Sequence, residues 1–282
     1  MSDKSLAARV RIGCQGWNYD DWISGPAAGA GVFYPQGTRA PQMLEIYARA
    51  FNTVEVDSSF YAIPSAAAID NWIRRTPPGF TFSLKMPRQI THEQGLAGAS
   101  ASLVADFCAR ARQFGERLGV ILIQLPPQFD ATAENARRLR AFGANLPRDL
   151  RFSVEFRHPD WMHERVVDEL APHGMALALI DGPWVPRASM WRLAERQTAK
   201  FAYVRWMGRR DLMRFDQIQR PQDENLRAWS GTVRRLSERG EVYAYFSNFY
   251  EGHAPASANK LKRLLGQRVV GPTDLVDQPS LF

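Results

Sequence analysis

Cysteine is scarce in this chain of 282 residues, which has only Cys14 and Cys108. Two thiols that lie so far apart in sequence supply neither the disulfide framework of a small secreted domain nor the paired ligands of a structural zinc site. Few cysteines are typical of proteins in a reducing compartment, so we expect a cytoplasmic protein.

Long apolar runs are also missing. The longest one, GVILIQLPP at residues 119–127, is far shorter than the roughly 20 residues that a membrane-spanning helix needs. The first residues, MSDKSLAARVRIG, contain no apolar stretch of the length that an export signal requires. We therefore expect no insertion into a membrane.

Motifs for metals and nucleotides are absent as well. The chain has five histidines, but no two of them have the helical spacing of a metal-binding motif such as HExxH. GCQGW at residues 13–17 lacks the spacing and the following helix of a dinucleotide-binding fingerprint. We predict no cofactor, and a divalent metal ion held by carboxylates is the less favoured alternative.

Acidic residues are outnumbered by basic ones, 29 against 36, which gives a formal net charge of +7. This balance favours anionic partners such as phosphorylated metabolites or nucleic acid, because Lys and Arg neutralise phosphate groups. A simple need for solubility would produce the same balance, so composition leaves both explanations open.

What the sequence does contain is a rhythm of short β-branched or aromatic runs, each followed by a helical pattern. Because parallel strands need crossover helices and eight such units close on themselves, the rhythm predicts an α/β fold. We expect a (β/α)8 TIM-barrel-like single domain over residues 1–267, with a doubly wound open sheet as the alternative. The eight predicted strands are VRIGCQG, TVEVDSSF, TFSLKMP, GVILIQLPP, RFSVEFRH, MALALID, FAYVRWMG and EVYAYFSN.

Alternation within the strands predicts which side chains enter the barrel. In RFSVEFRH, Phe152 and Val154 share the apolar face, which packs outward against helices, so Glu155 and Arg157 point inward. The same alternation sends Glu55, Asp57, Ser83 and Lys85 inward. Gln124, Asp181, Arg205 and Asn248 lie near the carboxyl ends of predicted strands, where barrel enzymes place their catalytic groups.

Acids and bases packed this closely push each other's pKa values apart, which suits acid–base catalysis. The predicted catalytic residues are Glu55, Lys85, Glu155 and Asp181, while Arg157 and Arg205 would hold an anionic group through forked hydrogen bonds. A self-neutralising ion-pair lattice that only fills the barrel is the alternative. The predicted substrate-binding residues are Trp17, Tyr19, Thr91, His92, Gln124, Arg157, His158, Arg205 and Asn248.

Long segments follow three of the predicted strands, and the first of them, residues 17–39, is rich in aromatic side chains. In a barrel, segments after strands lie on the catalytic face, so they are candidate pocket walls. The aromatic residues either form a hydrophobic plug over the barrel mouth or stack on a ligand, and the sequence favours neither.

The strand ends together resemble the YecE-like family, also known as domain of unknown function 72. The resemblance covers residues 12–265 and implies a TIM-barrel-type fold, but no established reaction. Its barrel is similar in outline to that of endonuclease IV-type repair enzymes, whose metal-ligand set is not visible here. The blocks that carry the resemblance are GCQGWNYDDW, FYP, FNTVEVDSSFY, FSLKMPRQITHE, LIQLPPQF, FSVEFRHPDW, YVRWMG and SANKL.

Two positions depart from the family's pattern. Met207 replaces a histidine in the block YVRxHG, and Ser247-Asn248 replaces a pair of asparagines. A mechanism that uses that histidine as a proton carrier therefore does not transfer to this chain.

Two classes of function follow. The first is an enzyme, a hydrolase or lyase acting on a phosphate-bearing substrate, either a small metabolite or nucleic acid linked to DNA repair. The second is a non-catalytic module that binds nucleic acid or a ligand. Basic stretches such as RRDLMR and RRLSERG agree with the second, although such faces are commonly just solvated.

The last residues contain a short motif. From Gly266 onward the chain has two prolines, two glycines and no helical period, which predicts a flexible tail over residues 268–282. Its end, QPSLF, resembles the peptide with which bacterial DNA polymerases and repair proteins bind the sliding clamp. The residues that would bind the clamp are Gln278, Ser280, Leu281 and Phe282, and packing of the tail on its own barrel is the alternative.

Overall fold

Eight parallel strands form a nearly closed barrel in the computed structural model, which describes residues 9–23, 32–96 and 101–276. The strands pair in the order β1-β8-β7-β6-β5-β4-β3-β2, and a bridge between Gln15 and Glu55 joins the ends of β1 and β2. The predicted TIM-barrel-like fold is confirmed, and the open-sheet alternative is wrong. The strands are β1 Val10–Cys14, β2 Thr53–Val56, β3 Thr81–Lys85, β4 Leu118–Gln124, β5 Phe152–Glu155, β6 Ala176–Asp181, β7 Phe201–Trp206 and β8 Glu241–Phe246.

Helices surround the barrel and connect its strands. Several begin at a capping side chain: Ser65 Oγ accepts a hydrogen bond from the Ala68 amide, and Thr132 Oγ1 accepts one from the Asn135 amide. None of the helices in the described ranges is long and apolar enough to cross a membrane. They are α1 Ala40–Ala50, α2 Ala66–Arg74, α3 Ala101–Ala111, α4 Ala133–Asn145, α5 Arg165–Leu170, α6 Arg187–Ala194, α7 Asp223–Arg239, α8 Asn248–Glu251, α9 Ala254–Leu264 and α10 Pro272–Leu275.

The barrel has an outer and an inner core. Outward-facing side chains such as Val54 and Leu84 pack against the helices, as the alternation predicts. A separate cluster that includes Leu122, Ala178 and Tyr245 fills the inside of the barrel. The Tyr245 hydroxyl lies 2.8 Å from Ser83 Oγ, so the one polar atom of this ring is satisfied. The charged residues at the barrel mouth therefore lie next to a packed barrel interior.

The aromatic segment after β1 is part of the outer core. Trp22, Phe33 and Tyr34 are almost fully buried, and their ring centroids lie 4.9 to 5.8 Å apart. Such tilted and edge-on packing is typical of aromatic cores. For these three residues the structure agrees with the hydrophobic-plug interpretation.

The predicted flexible tail is folded as far as residue 276. Val270 and Leu275 are buried, and the Val270 carbonyl accepts a hydrogen bond from Asn259 Nδ2 at 3.1 Å. The Gly271 amide donates to Asp274 Oδ2 at 2.8 Å, which starts α10. A four-residue helix has too few turns to produce a periodic pattern, so the sequence did not predict it. Residues 277–282, with the clamp-binding motif, lie outside the described residues.

Candidate active site at the barrel mouth

Arg205 is the centre of a buried group of charges inside the barrel. Its Nε and Nη2 atoms donate to Oε2 and Oε1 of Glu55 at 2.9 and 2.6 Å, and Nη1 donates to Oε2 of Glu155. Both glutamates are fully buried, and Arg205 is 1% exposed. The structure thus brings together three residues that the sequence predicted to face inward.

Every N–H group of Arg205 has a partner. Besides the two glutamates, Nη1 lies 3.4 Å from Gln124 Oε1, and the Gln15 amide oxygen, in the orientation that satisfies its neighbours, accepts from Nη2 at 3.1 Å. A guanidinium has five N–H donors, and these contacts use all five. These contacts occupy the donors of Arg205, and its role as a direct anion holder stays a prediction.

Arg157 extends this network toward the mouth. Its Nε donates to Glu155 Oε1 at 2.7 Å, and its Nη2 donates to Gln124 Oε1 at 2.9 Å. The guanidinium carbon lies 4.0 Å from the centre of the Trp184 ring, within the range of a cation–π contact. Its Nη1 makes no hydrogen bond to the described residues. Unlike Arg205, Arg157 still has donors for a ligand.

The two glutamates have pKa values that are shifted in opposite directions. Burial opposes the charge of Glu155, but the attraction of Arg205 and Arg157 outweighs it and lowers its pKa to about 2. Burial raises the pKa of Glu55, and Arg205 only partly offsets that effect. Glu155 is ionised because two guanidinium groups contact it, whereas Glu55 contacts one.

Lys85 lies at the mouth, at the end of β3. Its Nζ atom is 3.5 Å from Asp57 Oδ1 and 4.6 Å above the centre of the Phe60 ring. The Lys85 backbone is fixed by Ser59, whose Oγ accepts from the Lys85 amide at 2.8 Å and donates to its carbonyl at 2.9 Å. Burial lowers the pKa of Lys85, and the charge of Asp57 acts in the opposite direction.

His92 and Thr91 lie beside Lys85, on a single π-helical turn formed by Gln89–Glu93. Thr91 Oγ1 donates to the Pro87 carbonyl at 3.3 Å and lies 2.8 Å from His92 Nδ1. This contact engages Nδ1 of the ring, and Nε2 makes no hydrogen bond to the described residues. Burial, followed by the charges of Arg157 and Lys85, lowers the pKa of His92 to about 4, so the ring is neutral at pH 7.

Asp181 does not belong to this group, and its predicted place in the barrel is wrong. Ile180 pairs with Arg205 and shares its inward face, so Asp181 faces the helices together with Trp206. Its carboxylate accepts hydrogen bonds from Arg187 Nε at 2.9 Å, Trp229 Nε1 at 2.9 Å and the Tyr250 hydroxyl at 3.1 Å. Asp181 anchors the outer layer.

Asn248 has a structural role on one side of its amide. Its Oδ1 accepts from Trp22 Nε1 at 3.1 Å and from the Ala254 amide at 3.0 Å, which ties the aromatic segment to the start of α9. Its Nδ2 has no partner among the described residues. The structure shows no contact between Asn248 and the charged group around Arg205.

The remaining predicted residues also contact scaffold. Trp17 packs edge-on against Trp72 of α2, with ring centroids 5.5 Å apart. The Tyr19 hydroxyl donates to the Gln15 carbonyl at 3.0 Å. His158 Nδ1 accepts from the Asp160 amide at 3.3 Å and caps a short 3₁₀ turn.

The residues that the structure describes, 9–23, 32–96 and 101–276, hold no cluster of metal ligands. In these ranges no three His, Cys, Asp or Glu side chains converge as a metal site would require. The basic residues explain why, since Arg205 and Arg157 occupy the carboxylate oxygens of Glu55 and Glu155.

Comparison of this chain with known protein families assigns it to one of them. The family model described as "Protein of unknown function DUF72" matches residues 11–280. The chain belongs to the DUF72 family. It is 24% identical over 277 residues to the UPF0759 protein YunF of Bacillus subtilis, which covers 91% of this chain and 94% of that one.

Two further relatives agree. The UPF0759 protein YecE of Escherichia coli is 28% identical over 166 residues, which covers 59% of this chain and 55% of that protein. The crystal structure of a DUF72 family protein from Thermotoga maritima is 26% identical, with a TM-score of 0.76 over 92% of this chain and 99% of that one. The resemblance predicted from the strand ends is thereby confirmed.

Three side chains of the mouth in this DUF72 protein are absent from the predicted set of site residues: Gln15, Asp57 and Trp184. For Asp57 a signal was present, because the alternation in β2 sends it inward with Glu55. Trp184 lies in a long segment after β6, where its contact with Arg157 has no signature in sequence.

The departure at position 207 has a visible consequence in this DUF72 protein. Met207 is buried, and its thioether lies against the Gln15 amide. A thioether carries no exchangeable proton, so Met207 cannot take the place of a histidine as a proton carrier.

Proposed function

We propose that this protein is an enzyme that performs acid–base chemistry on a phosphate-bearing substrate at the barrel mouth, with Lys85 as the proton-transferring group. The observation that carries the proposal is the setting of Lys85 Nζ, which is nearly buried with a single carboxylate 3.5 Å away. The carboxyl ends of barrel strands are where enzymes of this fold place catalytic groups.

A purely structural lysine would satisfy its ammonium group. Lys85 Nζ has three N–H donors, yet it makes no hydrogen bond to the described residues, and its ion pair with Asp57 is longer than a hydrogen bond. Burying an ammonium without hydrogen-bond partners costs free energy. The lowered pKa of Lys85 brings the neutral amine, a proton acceptor, closer to physiological pH.

Neighbouring groups have complementary roles in this proposal. Asp57, whose side chain is 36% exposed, passes protons between Lys85 and solvent. His92, whose Nε2 has no hydrogen-bond partner among the described residues, is a second group for proton transfer, and Arg157 offers its Nη1 group to negative charge on the substrate.

Glu55 and Glu155 have a different task from the catalytic one predicted. All four of their carboxylate oxygens accept hydrogen bonds from Arg205, Arg157 or Tyr203, and neither residue is exposed. We assign them as positioning residues, which hold Arg157 in place and set the electrostatic potential around Lys85.

A metabolite-profiling experiment tests the proposal. Purified protein is incubated with a cell extract enriched in phosphorylated metabolites and nucleotides, and mass spectrometry identifies compounds that disappear or form. We expect conversion by the parent and by Lys200→Met, which removes the same charge at an exposed position. Lys85→Met should convert nothing while keeping the parent's circular dichroism spectrum. A folded Lys85→Met protein that converts as fast as the parent would rule out the role of Lys85.

A second candidate function rests on the final residues. We also propose that Gln278, Ser280, Leu281 and Phe282 bind the bacterial sliding clamp and recruit the barrel to DNA, whether as an enzyme or as a binding module. The two candidates are separable, since the mouth and the motif are altered by different substitutions.

A further inference from the structure

A second polar cavity lies next to the mouth, at the carboxyl ends of β6 and β7. Its volume is 390 Å³, and its walls include Asp181, Arg187, Arg209, Arg220 and Tyr250. Three arginines thus line the cavity, two of them paired with the carboxylates of Asp181 and Asp211. A cavity with this charge excess attracts an anion.

The single carboxylate of the lining is already saturated. Asp181 accepts from Arg187, Trp229 and Tyr250, and the Arg187 contacts use Nε and one N–H of Nη2. Because a guanidinium has five N–H donors, Arg187 keeps others for a ligand.

The other two arginines are less engaged. Arg220 Nη2 donates to Asp211 Oδ1 at 2.5 Å, which leaves its Nε and Nη1 groups. Within the described part of the chain, the Arg209 side chain has no hydrogen-bond or ion-pair partner. The pKa of Asp211 is lowered chiefly by its hydrogen bond from Arg220, and Arg209 adds a smaller contribution, so the two arginines lie near one another.

The backbone holds the cavity wall firmly. Gly208 has φ of +65°, and a Cβ there would lie 1.9 Å from the Phe249 carbonyl oxygen. The chain after β7 therefore packs directly on the chain after β8 and fixes the start of the Arg209 segment. Segments after the last strands of a barrel are where this fold commonly binds phosphate.

A short stretch of chain connects the cavity to the mouth. Asp181, Gly182 and Pro183 line the cavity, and the next residue, Trp184, stacks on Arg157 of the mouth. A ligand whose anionic group lies in the cavity can therefore extend past the Trp184 ring to Arg157.

We propose that Arg187, Arg209 and Arg220 bind the terminal phosphate group of a small substrate, a phosphomonoester, whose other end extends past Trp184 toward Arg157 at the mouth. The inference rests on the proposed function and adds to it the class of the substrate. Arg209, which has no ion-pair partner among the described residues, leaves positive charge for a phosphate group, and a 390 Å³ cavity fits a small molecule. The backbone of nucleic acid would need an extended groove.

Calorimetric titration with methyl phosphate, dimethyl phosphate and a single-stranded oligonucleotide without terminal phosphate tests the assignment. We expect saturable binding of methyl phosphate and much weaker binding of the other two. Arg209→Met should weaken methyl phosphate binding by about tenfold or more, the loss typical of a charge-assisted hydrogen bond. Arg227→Met, at an exposed position of α7 outside the cavity, removes the same charge and should bind like the parent.

Several outcomes would overturn the inference. These are absence of saturable methyl phosphate binding, an equal loss in Arg227→Met, and oligonucleotide binding that depends on Arg209 when methyl phosphate binding does not. Lys85→Met separates the two proposals. If it binds methyl phosphate normally and the parent converts no metabolite, the phosphate site stands and the proposed catalysis fails.

Discussion

Arg205 donates two parallel hydrogen bonds to Glu55, from Nε to Oε2 at 2.9 Å and from Nη2 to Oε1 at 2.6 Å. The pair spans the inside of the barrel, because Glu55 is on β2 and Arg205 is on β7. Such a fork needs a planar guanidinium, which lysine does not have. The pair therefore joins two distant strands through one specific geometry.

Replacing Arg205 should destabilise the barrel strongly. We expect Arg205→Met to lower the free energy of unfolding by about 3–5 kcal/mol, because it leaves two buried carboxylates without their shared partner. Arg205→Lys should restore little of this loss, since an ammonium cannot form the fork. Urea denaturation measures both, and Arg227→Lys on the surface serves as the control. Full stability in Arg205→Lys would contradict the importance of the fork.

Glu155 should make stability depend on pH in the acid range. Its pKa is lowered from 4.5 to about 2, since Arg205 and Arg157 outweigh the effect of burial. A carboxyl with a depressed pKa in the folded state stabilises the fold above pH 4.5, and that contribution is lost as pH falls toward 2. We expect the difference in free energy of unfolding between the parent and Glu155→Gln to be largest at neutral pH and to shrink across that window. A difference that stays constant from pH 6 to the lowest accessible pH, on the order of 2, would refute the assignment.

Asp181 should act through stability, because its carboxylate is an acceptor for three side chains of the outer layer. We expect Asp181→Asn to lower the free energy of unfolding by about 2–3 kcal/mol, and Tyr250→Phe, which removes one of the three donors, by about 1 kcal/mol. The double variant should lose less than the sum of the two, since Asp181→Asn weakens, and Tyr250→Phe removes, the same hydrogen bond. Strict additivity in thermal or urea unfolding would show that the Tyr250 contact contributes nothing.

The clamp-binding motif remains a prediction from sequence. Removing Leu281 and Phe282 should leave thermal unfolding unchanged and abolish binding to a purified bacterial sliding clamp in surface plasmon resonance. Gln278→Ala should weaken binding and keep part of it, because it removes polar contacts and leaves the apolar anchors. Binding by the truncated chain, or its absence in the parent, would end the hypothesis.

The strands, and the inward orientation of their charged side chains, were predictable because both depend on local sequence patterns. The runs around Glu55, Lys85 and Glu155 alternate cleanly between apolar and polar residues, and a strand buried between a charged interior and apolar helices requires that alternation. A residue at an inward position also has its partners nearby, so the contact of Glu155 with Arg205 follows from the fold.

The sequence did not predict which side chains point into the barrel where both faces of a strand are apolar. β6 reads ALALID, which gives no polar alternation, so only the small size of Ala176 and Ala178 marks the crowded interior. That signal would have placed Asp181 outside. The saturation of Arg205 and the engagement of Asn248 by Trp22 depend on residues distant in sequence, and no local pattern reports them.

The pairing of β1 with β8 ties together the two ends of the barrel's chain, from Val10 with Val242 to Cys14 with Phe246. Ribosomes make the N-terminal strand first, so β1 has only one of its neighbours until nearly all of the barrel has been synthesised. Glu55 and Glu155 likewise precede Arg205, their common partner, in the order of translation. A nascent chain stopped before β7 therefore has Glu55 without its Arg205 partner, Glu155 paired with Arg157 alone, and two open sheet edges that can pair with other chains. The barrel can therefore close only after β8 has been synthesised.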